Sequence, residues 1–265
     1  MVLLGLKLIL TPCLIWLVSQ AGRKWGPSVS GWLTGLPLTS GPIALYLALE
    51  RGTDFAAGAA SGTLAGLISV AIFCLVYYEL SFKLNWLACL LLGWAGYFVA
   101  TFIFQEISPP LLVTYLAVIA TLALASWIMS AGRNRAGDVQ TARGIATLRY
   151  DLAWRMILAT TFVVGLTASA EFLGPRLSGL LSPFPIFASI LAAFTHHLQG
   201  PRSTRLYLQG TIIGAFTFAT FFVCFGGLVE PDGPAIAFGC ALLVALLAQG
   251  CSIWMVRYSR RRQPA

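Results

Sequence analysis

Charged side chains are scarce in this chain. Asp, Glu, Lys and Arg together make up 10% of its 265 residues, whereas a soluble globular domain carries about 25%. Hydrophobic residues make up 58%, and the mean hydropathy is +0.83. The shortage of charge excludes a soluble enzyme, a disordered tail and a fibrous repeat. It leaves a polytopic membrane protein.

Metal, nucleotide and catalytic motifs are also missing from the sequence. The six cysteines form no Cys-x-x-Cys pair, and their spacing to the two histidines is not that of a zinc site. No glycine-rich nucleotide loop and no Ser-His-Asp arrangement is present. We therefore expect no enzyme activity, no catalytic residues, no cofactor and no metal site.

Long apolar runs occupy most of the chain. A bilayer core about 30 Å thick requires roughly 20 apolar residues per helix, and nine segments meet this requirement wholly or in part. The second and seventh are short and interrupted by proline, so each is either a broken span or a re-entrant segment. The predicted segments are 2–20, 32–49, 55–78, 86–104, 111–130, 154–173, 183–199, 206–228 and 235–256.

The net charge of +8 is concentrated between these apolar segments. Arg23 and Lys24 follow the first segment, Lys83 follows the third, and a basic linker follows the fifth. Cytoplasmic loops are enriched in Lys and Arg. We therefore expect a bacterial inner (plasma) membrane protein whose odd-numbered loops and C-terminus are cytoplasmic, with the lipid bilayer rather than nucleic acid as its charged partner.

The chain matches itself without gaps when it is shifted by 148 residues. Residues 26–76 and 174–224 share 13 identities in 51 pairs, including five Gly and two Pro. The match predicts an all-α protein of about nine transmembrane segments, arranged as two four-segment repeats joined by a connecting span that inverts the second. The predicted units are 1–106 (first repeat), 107–153 (connecting span and basic linker) and 154–265 (second repeat with a basic tail).

The proline-broken segments recur in both repeats and predict a substrate site. Inverted repeats with irregular helices in matching positions are typical of secondary transporters, and helix N-termini bind anions. The predicted binding residues are Pro37, Thr39, Ser40, Pro42, Pro183, Pro185 and Ser189, with Thr63 and Thr211 from the two Gly-Thr-x-x-Gly motifs. Alternatively, the prolines only begin helices at the membrane surface, and the glycine motifs only pack helices.

Polar residues that differ between the repeats are candidates for ion coupling. The shift of 148 residues aligns His196 with Ala48, and Glu50 with Leu198. Histidine titrates near physiological pH, so His196 and Glu50 are candidates for proton coupling. The alternative is that both are solvated groups at the membrane interface, because each lies at the end of a segment.

The stretch 183–189, followed by Pro201-Arg202 and Gly210-Thr211-x-x-Gly214, resembles two groups of bacterial membrane proteins. One is the HPP membrane proteins, and the other is the fusaric acid resistance and aromatic acid exporter group. Ser203 stands where the HPP pattern has Asn, and the soluble cytoplasmic regions of the exporters have no counterpart here. The resemblance implies transport of small anions or aromatic acids.

Together, these patterns predict a secondary transporter of a small anion or organic acid. A non-catalytic membrane scaffold or partner subunit and a lipid translocase are the alternatives. The expected partners are the bilayer and a small-molecule substrate, and a homodimer is left open.

Overall fold

The computed structural model describes residues 16–37, 40–104, 109–134 and 184–261, together with Cys13, Ile157 and Thr161. The described residues are predominantly helical and contain no strand. A helical stretch over 16–25 precedes seven helices, whose bounds follow. They are α1 (Pro27–Thr34), α2 (Ser40–Arg51), α3 (Thr53–Leu80), α4 (Trp86–Phe104), α5 (Leu111–Asn134), α6 (Ile186–Leu228) and α7 (Pro234–Arg261).

Four helices in the described part of the chain are long and apolar enough to cross a membrane. They are α3, α4, the Leu111–Ala131 part of α5, and α6. The helix α7 adds a shorter apolar stretch, Pro234–Gly250. The outward faces of α4, α5 and α7 carry exposed apolar side chains such as Phe102 (72%), Trp127 (68%) and Leu247 (70%). A belt of this kind is unfavourable in water and matches lipid. The helical content and the apolar spans agree with the predicted polytopic membrane protein.

The helix α6 consists of two segments that meet at Gly200. Gly200 has φ 83° and ψ 178°, a conformation essentially restricted to glycine, and Pro201 after it has no N–H to continue the helix. Gly52 makes the same break between α2 and α3, with φ 93° and ψ 167°. The two glycines are 148 residues apart. The segment predicted as 206–228 therefore starts earlier, at residue 201, because the helix extends through a polar turn before it becomes apolar.

Helix boundaries coincide in the two halves of the chain at this offset. The helix α3 covers residues 53–80 and the second segment of α6 covers 201–228, while α4 begins at Trp86 and α7 at Pro234. The helix α3 and the second segment of α6 pack against each other in antiparallel orientation. Arg205 bonds the carbonyl of Tyr78 at one end, and Gly226 lies against Ala60 at the other. The two helices that the shift of 148 residues aligns therefore run in opposite directions.

Two interhelical hydrogen bonds also correspond at this offset. Thr101 Oγ1 of α4 donates to Ser69 Oγ of α3 at 2.9 Å. Thr217 Oγ1 of α6 donates to Gln249 Oε1 of α7 at 2.6 Å. A shift of 148 residues maps the first pair onto the second. Polar side chains that bond across membrane helices hold them together, and here they do so at equivalent points in both halves.

The charged side chains divide between the two ends of the bundle. We call one end, where α3 finishes and α1 begins, the basic end, and the other, where α2 meets α3 and α6 finishes, the acidic end. The basic end carries Arg23, Lys24, Lys83, Arg202 and Arg205 together with Glu79. The acidic end carries Glu50, Asp54, Glu230 and Asp232 together with Arg51. This division is the pattern from which membrane orientation is inferred.

Arg205 and Gln209 of α6 together fasten three helices at the basic end. Its Nε donates to the carbonyl oxygen of Tyr78 at 3.1 Å and to Ser81 Oγ at 3.2 Å. Its guanidinium carbon lies 4.2 Å from the ring centroid of Tyr78 and 4.4 Å from that of Phe82. One turn further along α6, Gln209 Nε2 donates to the Met129 carbonyl of α5 at 2.9 Å. The three helices α3, α5 and α6 are therefore held in one register.

Candidate substrate site at two broken helices

The helices α1 and α2 are the two halves of one interrupted helix. Pro37 lacks an N–H donor and disfavours helix in the residue before it, so α1 ends at Thr34 and α2 begins at Ser40. Pro42 lies within the first turn of α2, where a missing N–H costs no intrahelical bond. The break is thus encoded locally by the residues predicted from the sequence.

The two halves continue in the same direction. Contacts with α6 trace their path: Gly31 lies against Tyr207, Gly35 against Thr211, and Gly41 against Phe221. The contacts advance along α6 as the chain passes from α1 to α2. A re-entrant hairpin would reverse this order. The helices α1 and α2 therefore both run parallel to the second segment of α6.

The break between α1 and α2 lies near the middle of the bundle. A Cβ at Gly35 would lie 2.5 Å from the carbonyl oxygen of Thr211 and 2.8 Å from the nitrogen of Ala215. These residues are close to the midpoint of the 201–228 segment. The 12 residues of α2 extend about 18 Å at 1.5 Å per residue, roughly half of a bilayer core. The break is thus about halfway between the two ends of the bundle.

A crossing of four glycines holds α1 against α6. Gly31 and Gly35 of α1 face Gly210 and Gly214 of α6, and a Cβ at Gly214 would lie 2.9 Å from the Cα of Gly35. Small residues four positions apart allow helix backbones to approach closely. Thr211 lies within this crossing, and its hydroxyl donates to the Tyr207 carbonyl at 3.1 Å in its own helix. The Gly-Thr-x-x-Gly motif of the second half therefore serves packing.

The second predicted break falls at the start of α6, and the residues before Phe184 lie outside the described part of the chain. Pro185 is the N-cap residue of α6, and the ring of buried Phe184 lies 5.2–5.7 Å from three aromatic rings of α4, those of Trp94, Tyr97 and Phe98. Ser189 Oγ accepts a hydrogen bond of 2.9 Å from Trp94 Nε1. Trp94 is near the middle of the 19-residue helix α4. The second break therefore also lies at mid-depth.

Two helices, α2 and the first segment of α6, have their N-termini at mid-depth. From there, α2 runs to Gly52 at the acidic end, and the first segment of α6 runs to Gly200 at the basic end. A helix N-terminus carries a partial positive charge and unbonded N–H groups. Half-helices of this kind point at anionic groups of substrates in membrane transporters. The two helix starts therefore each contribute partial positive charge at mid-depth.

The described part of the chain contains seven of the nine predicted binding residues. Pro37, Ser40 and Pro42 lie at the first break, and Pro185 and Ser189 lie at the second. The other two are Thr211, which lies beside the first break, and Thr63, which is buried on α3. The predictions for Thr39 and Pro183 fall outside the described residues.

His196 and Glu50 lie far from each other. His196 is buried at the basic end, where its ring centroid is 5.8 Å from that of Tyr77. Glu50 is exposed at the acidic end, just before Gly52. The helix α3 spans the distance between these ends, and its 28 residues are about 42 Å long. The two residues therefore do not form a directly coupled pair.

Several polar residues of the spans were not predicted from the sequence. Trp94 donates to the predicted site residue Ser189, and the pairs Ser69–Thr101 and Thr217–Gln249 bridge helices. A search of the repeat for polar residues at equivalent positions would have found the two pairs. No signal in the sequence indicates the bond of Trp94, because its partner is 95 residues away.

The hydrogen bond between Trp94 and Ser189 provides a test of the second break. We expect Trp94→Phe to lower the free energy of unfolding by about 1 kcal/mol, because interhelical side-chain bonds in membranes contribute about 0.6–1.7 kcal/mol. Unfolding of the detergent-solubilised protein in SDS measures the change. Trp127→Phe is the control, since Trp127 is 68% exposed on α5. If both variants were destabilised equally, the hydrogen bond between Trp94 and Ser189 would not be what stabilises the start of α6.

The chemistry available at the two breaks is that of helix N-termini and hydroxyl groups. In the described ranges, no group of three His, Cys, Asp or Glu residues could hold a metal ion. No protein-family model, curated protein or solved structure matches the chain.

Proposed function

We propose that this chain is a secondary transporter of a small anion or organic acid. Its architecture would be nine membrane segments in two inverted four-segment repeats, joined by a connecting span. The observation that carries the proposal is the pair of half-helices, α2 and the first segment of α6, whose N-termini start at mid-depth and which run in opposite directions. The matching hinges at Gly52 and Gly200 and the antiparallel packing of α3 against residues 201–228 support the inverted repeat.

The local charge supports an anionic substrate. Two helix N-termini contribute partial positive charge at mid-depth, and Ser40 and Ser189 lie in the first turns of the two half-helices. The described residues of the two breaks, 35–37, 40–42 and 184–190, include no Asp or Glu. A cation bound there would meet no opposing charge, whereas a carboxylate or another small anion would be attracted. The resemblance to aromatic acid exporters implies the same substrate class.

The distribution of charge supports a cytoplasmic basic end. Lys and Arg predominate on the cytoplasmic side of bacterial membrane proteins, and among the residues whose side chains the structure describes, the basic end has five cations against one acid. The helix α7 runs antiparallel to residues 201–228, since Phe238 pairs with Phe221 and Gln249 with Thr217. It therefore ends on the basic side. The proposal accordingly includes a cytoplasmic C-terminus in the bacterial inner membrane.

A flux assay with purified protein in liposomes tests the proposal. We expect saturable uptake of at least one member of a panel of chloride, nitrate, acetate and benzoate. Pro185→Ala should lower the rate at least about tenfold, because alanine restores the N–H and lets the helix extend beyond its present start at Ile186. Pro110→Ala is the control, since Pro110 is exposed before α5 and far from both breaks.

Two results would contradict transport at this site. One is the absence of flux for the whole panel by protein that is monodisperse and keeps its helical circular dichroism. The other is equal flux by the Pro185→Ala variant, the Pro37→Ala variant and the unmodified protein. Co-purification of a stoichiometric partner with flux-inactive protein would favour the scaffold function instead.

A further inference from the structure

A small polar cleft opens at the basic end, away from the two breaks. It lies between the helical stretch 16–25, the start of α1 and the end of the first segment of α6. Its polar lining consists of Ser19, Arg23, Ser30, Thr195 and Gln199. Gly22 permits the close approach that forms the cleft, because a Cβ there would lie 2.9 Å from the Cβ of Ser30. The cleft is therefore built from three separate helical segments.

The hydroxyl of Ser19 is a buried donor at the cleft, without a partner among the described residues. Ser19 is only 5% exposed, and its Oγ has no hydrogen-bond partner in the part of the chain that the structure describes. A buried polar group without a partner is unfavourable and rare. A ligand with an acceptor oxygen would satisfy this hydroxyl. The observation is independent of the charge of the cleft.

The charge and donors of the cleft define the chemistry of its ligand. Arg23 is the one charged residue in the cleft's described lining, and its guanidinium can donate several hydrogen bonds to an oxyanion. Ser30 and Thr195 add hydroxyls, and Gln199 adds an amide. No side chain caps the start of α1 at Gly26. One positive charge surrounded by neutral donors matches a singly charged oxyanion.

The surroundings of the cleft correspond to the level of lipid headgroups. Trp25 is 62% exposed, and Lys24 Nζ lies 5.2 Å from the centroid of its ring. Exposed Trp and Lys residues at the ends of spans are typical of the membrane interface. The phosphodiester of an anionic phospholipid carries a single negative charge and lies at this depth. We propose that the cleft binds an oxyanion, and that its source is the phosphodiester of such a lipid.

A lipid titration of the full-length protein tests the proposal. Native mass spectrometry in detergent would measure binding of phosphatidylglycerol, and a parallel titration would use inorganic phosphate. We expect Arg23→Gln to weaken binding of the lipid about tenfold. Lys24→Gln is the matched control, because it removes the same charge from the next residue, whose side chain lies over Trp25. It should change the affinity by no more than about twofold.

Ser19→Ala separates ligand binding from folding. We expect this variant to bind phosphatidylglycerol about five- to tenfold more weakly, because a charge-assisted hydrogen bond is lost. Its melting temperature without lipid should be equal to or higher than that of the unmodified protein, since the unpartnered hydroxyl is gone. A lower melting temperature with unchanged lipid affinity would assign Ser19 a purely structural role and overturn the proposal.

The two probes distinguish the source of the oxyanion. Lipid binding that depends on Arg23 and resists millimolar phosphate supports the lipid. Phosphate binding that depends on Arg23, without lipid binding, overturns the lipid as the source and assigns the cleft to a soluble ligand. Equal losses in Arg23→Gln and Lys24→Gln overturn the site itself. Because the cleft is separate from the two breaks, each of these outcomes can be distinguished from a failure of the transport proposal.

Discussion

Replacement of Gly210 by alanine is expected to lower the free energy of unfolding by about 3 kcal/mol, at the upper end of the range for overpacking. A Cβ at Gly210 would lie 2.8 Å from the backbone nitrogen of Trp32, and it would also overlap the carbonyl oxygen of Ser28. Both atoms belong to the backbone of α1 and cannot rotate away. The helix α1 would have to separate from α6, and unfolding in SDS would measure the resulting loss.

Gly58→Ala is the matched control for this substitution. Gly58 lies within α3, and nothing lies within 4 Å of the position that its Cβ would occupy. Alanine there should leave stability unchanged or raise it by up to about 1 kcal/mol, because alanine has the higher helix propensity. If both variants lost stability equally, the close crossing of α1 and α6 would be contradicted.

Removal of Arg205 is expected to have a similarly large effect. Arg205→Ala removes two hydrogen bonds to the end of α3 and the contacts of the guanidinium with the rings of Tyr78 and Phe82. Hydrogen bonds to charged groups contribute about 1.5–3 kcal/mol, and a cation–π contact contributes about 0.5–2 kcal/mol. We expect a loss of about 3 kcal/mol in the free energy of unfolding. Thermal unfolding in detergent should likewise show that Arg205→Ala is less stable than the unmodified protein.

Arg202→Ala separates the loss of contacts from the loss of charge. Arg202 is exposed and lies three residues before Arg205, so both variants remove one positive charge from the basic end. We expect a change within about 0.5 kcal/mol for this exposed position. Arg205→Lys retains the charge without the planar group and should be intermediate. Equal effects of Arg202→Ala and Arg205→Ala would show that net charge, rather than the contacts of Arg205, sets the stability.

The sequence predicted those parts of the fold that depend on local composition. The span predicted for residues 86–104 has the same bounds as α4, because its apolar run is uninterrupted and ends where polar residues begin. The break at Pro37 was likewise predicted, since proline changes the backbone locally, whereas the hinge at Gly200 was not predicted. The shift of 148 residues pointed to the equivalence of α3 with residues 201–228.

The partners of the helices could not be predicted in this way. In an apolar segment nearly every face is hydrophobic, so periodicity does not indicate which face contacts which helix. The crossing of Gly31 and Gly35 with Gly210 and Gly214 depends on tertiary packing. So does the bond from Trp94 to Ser189. The prolines predicted where the helices are interrupted. The residues that contact these interruptions, such as Trp94, are known only from the structure.

The interrupted helix α1–α2 has different neighbours on its two sides. The helix α1 packs closely on α6 through its glycines, whereas α2 packs on α3 and α7 and meets α6 at Phe221. Because α3 and α6 are themselves joined by the bonds of Arg205, all of these neighbours belong to one packed unit. A substitution that widens the crossing of α1 and α6 would therefore also loosen the packing around α2.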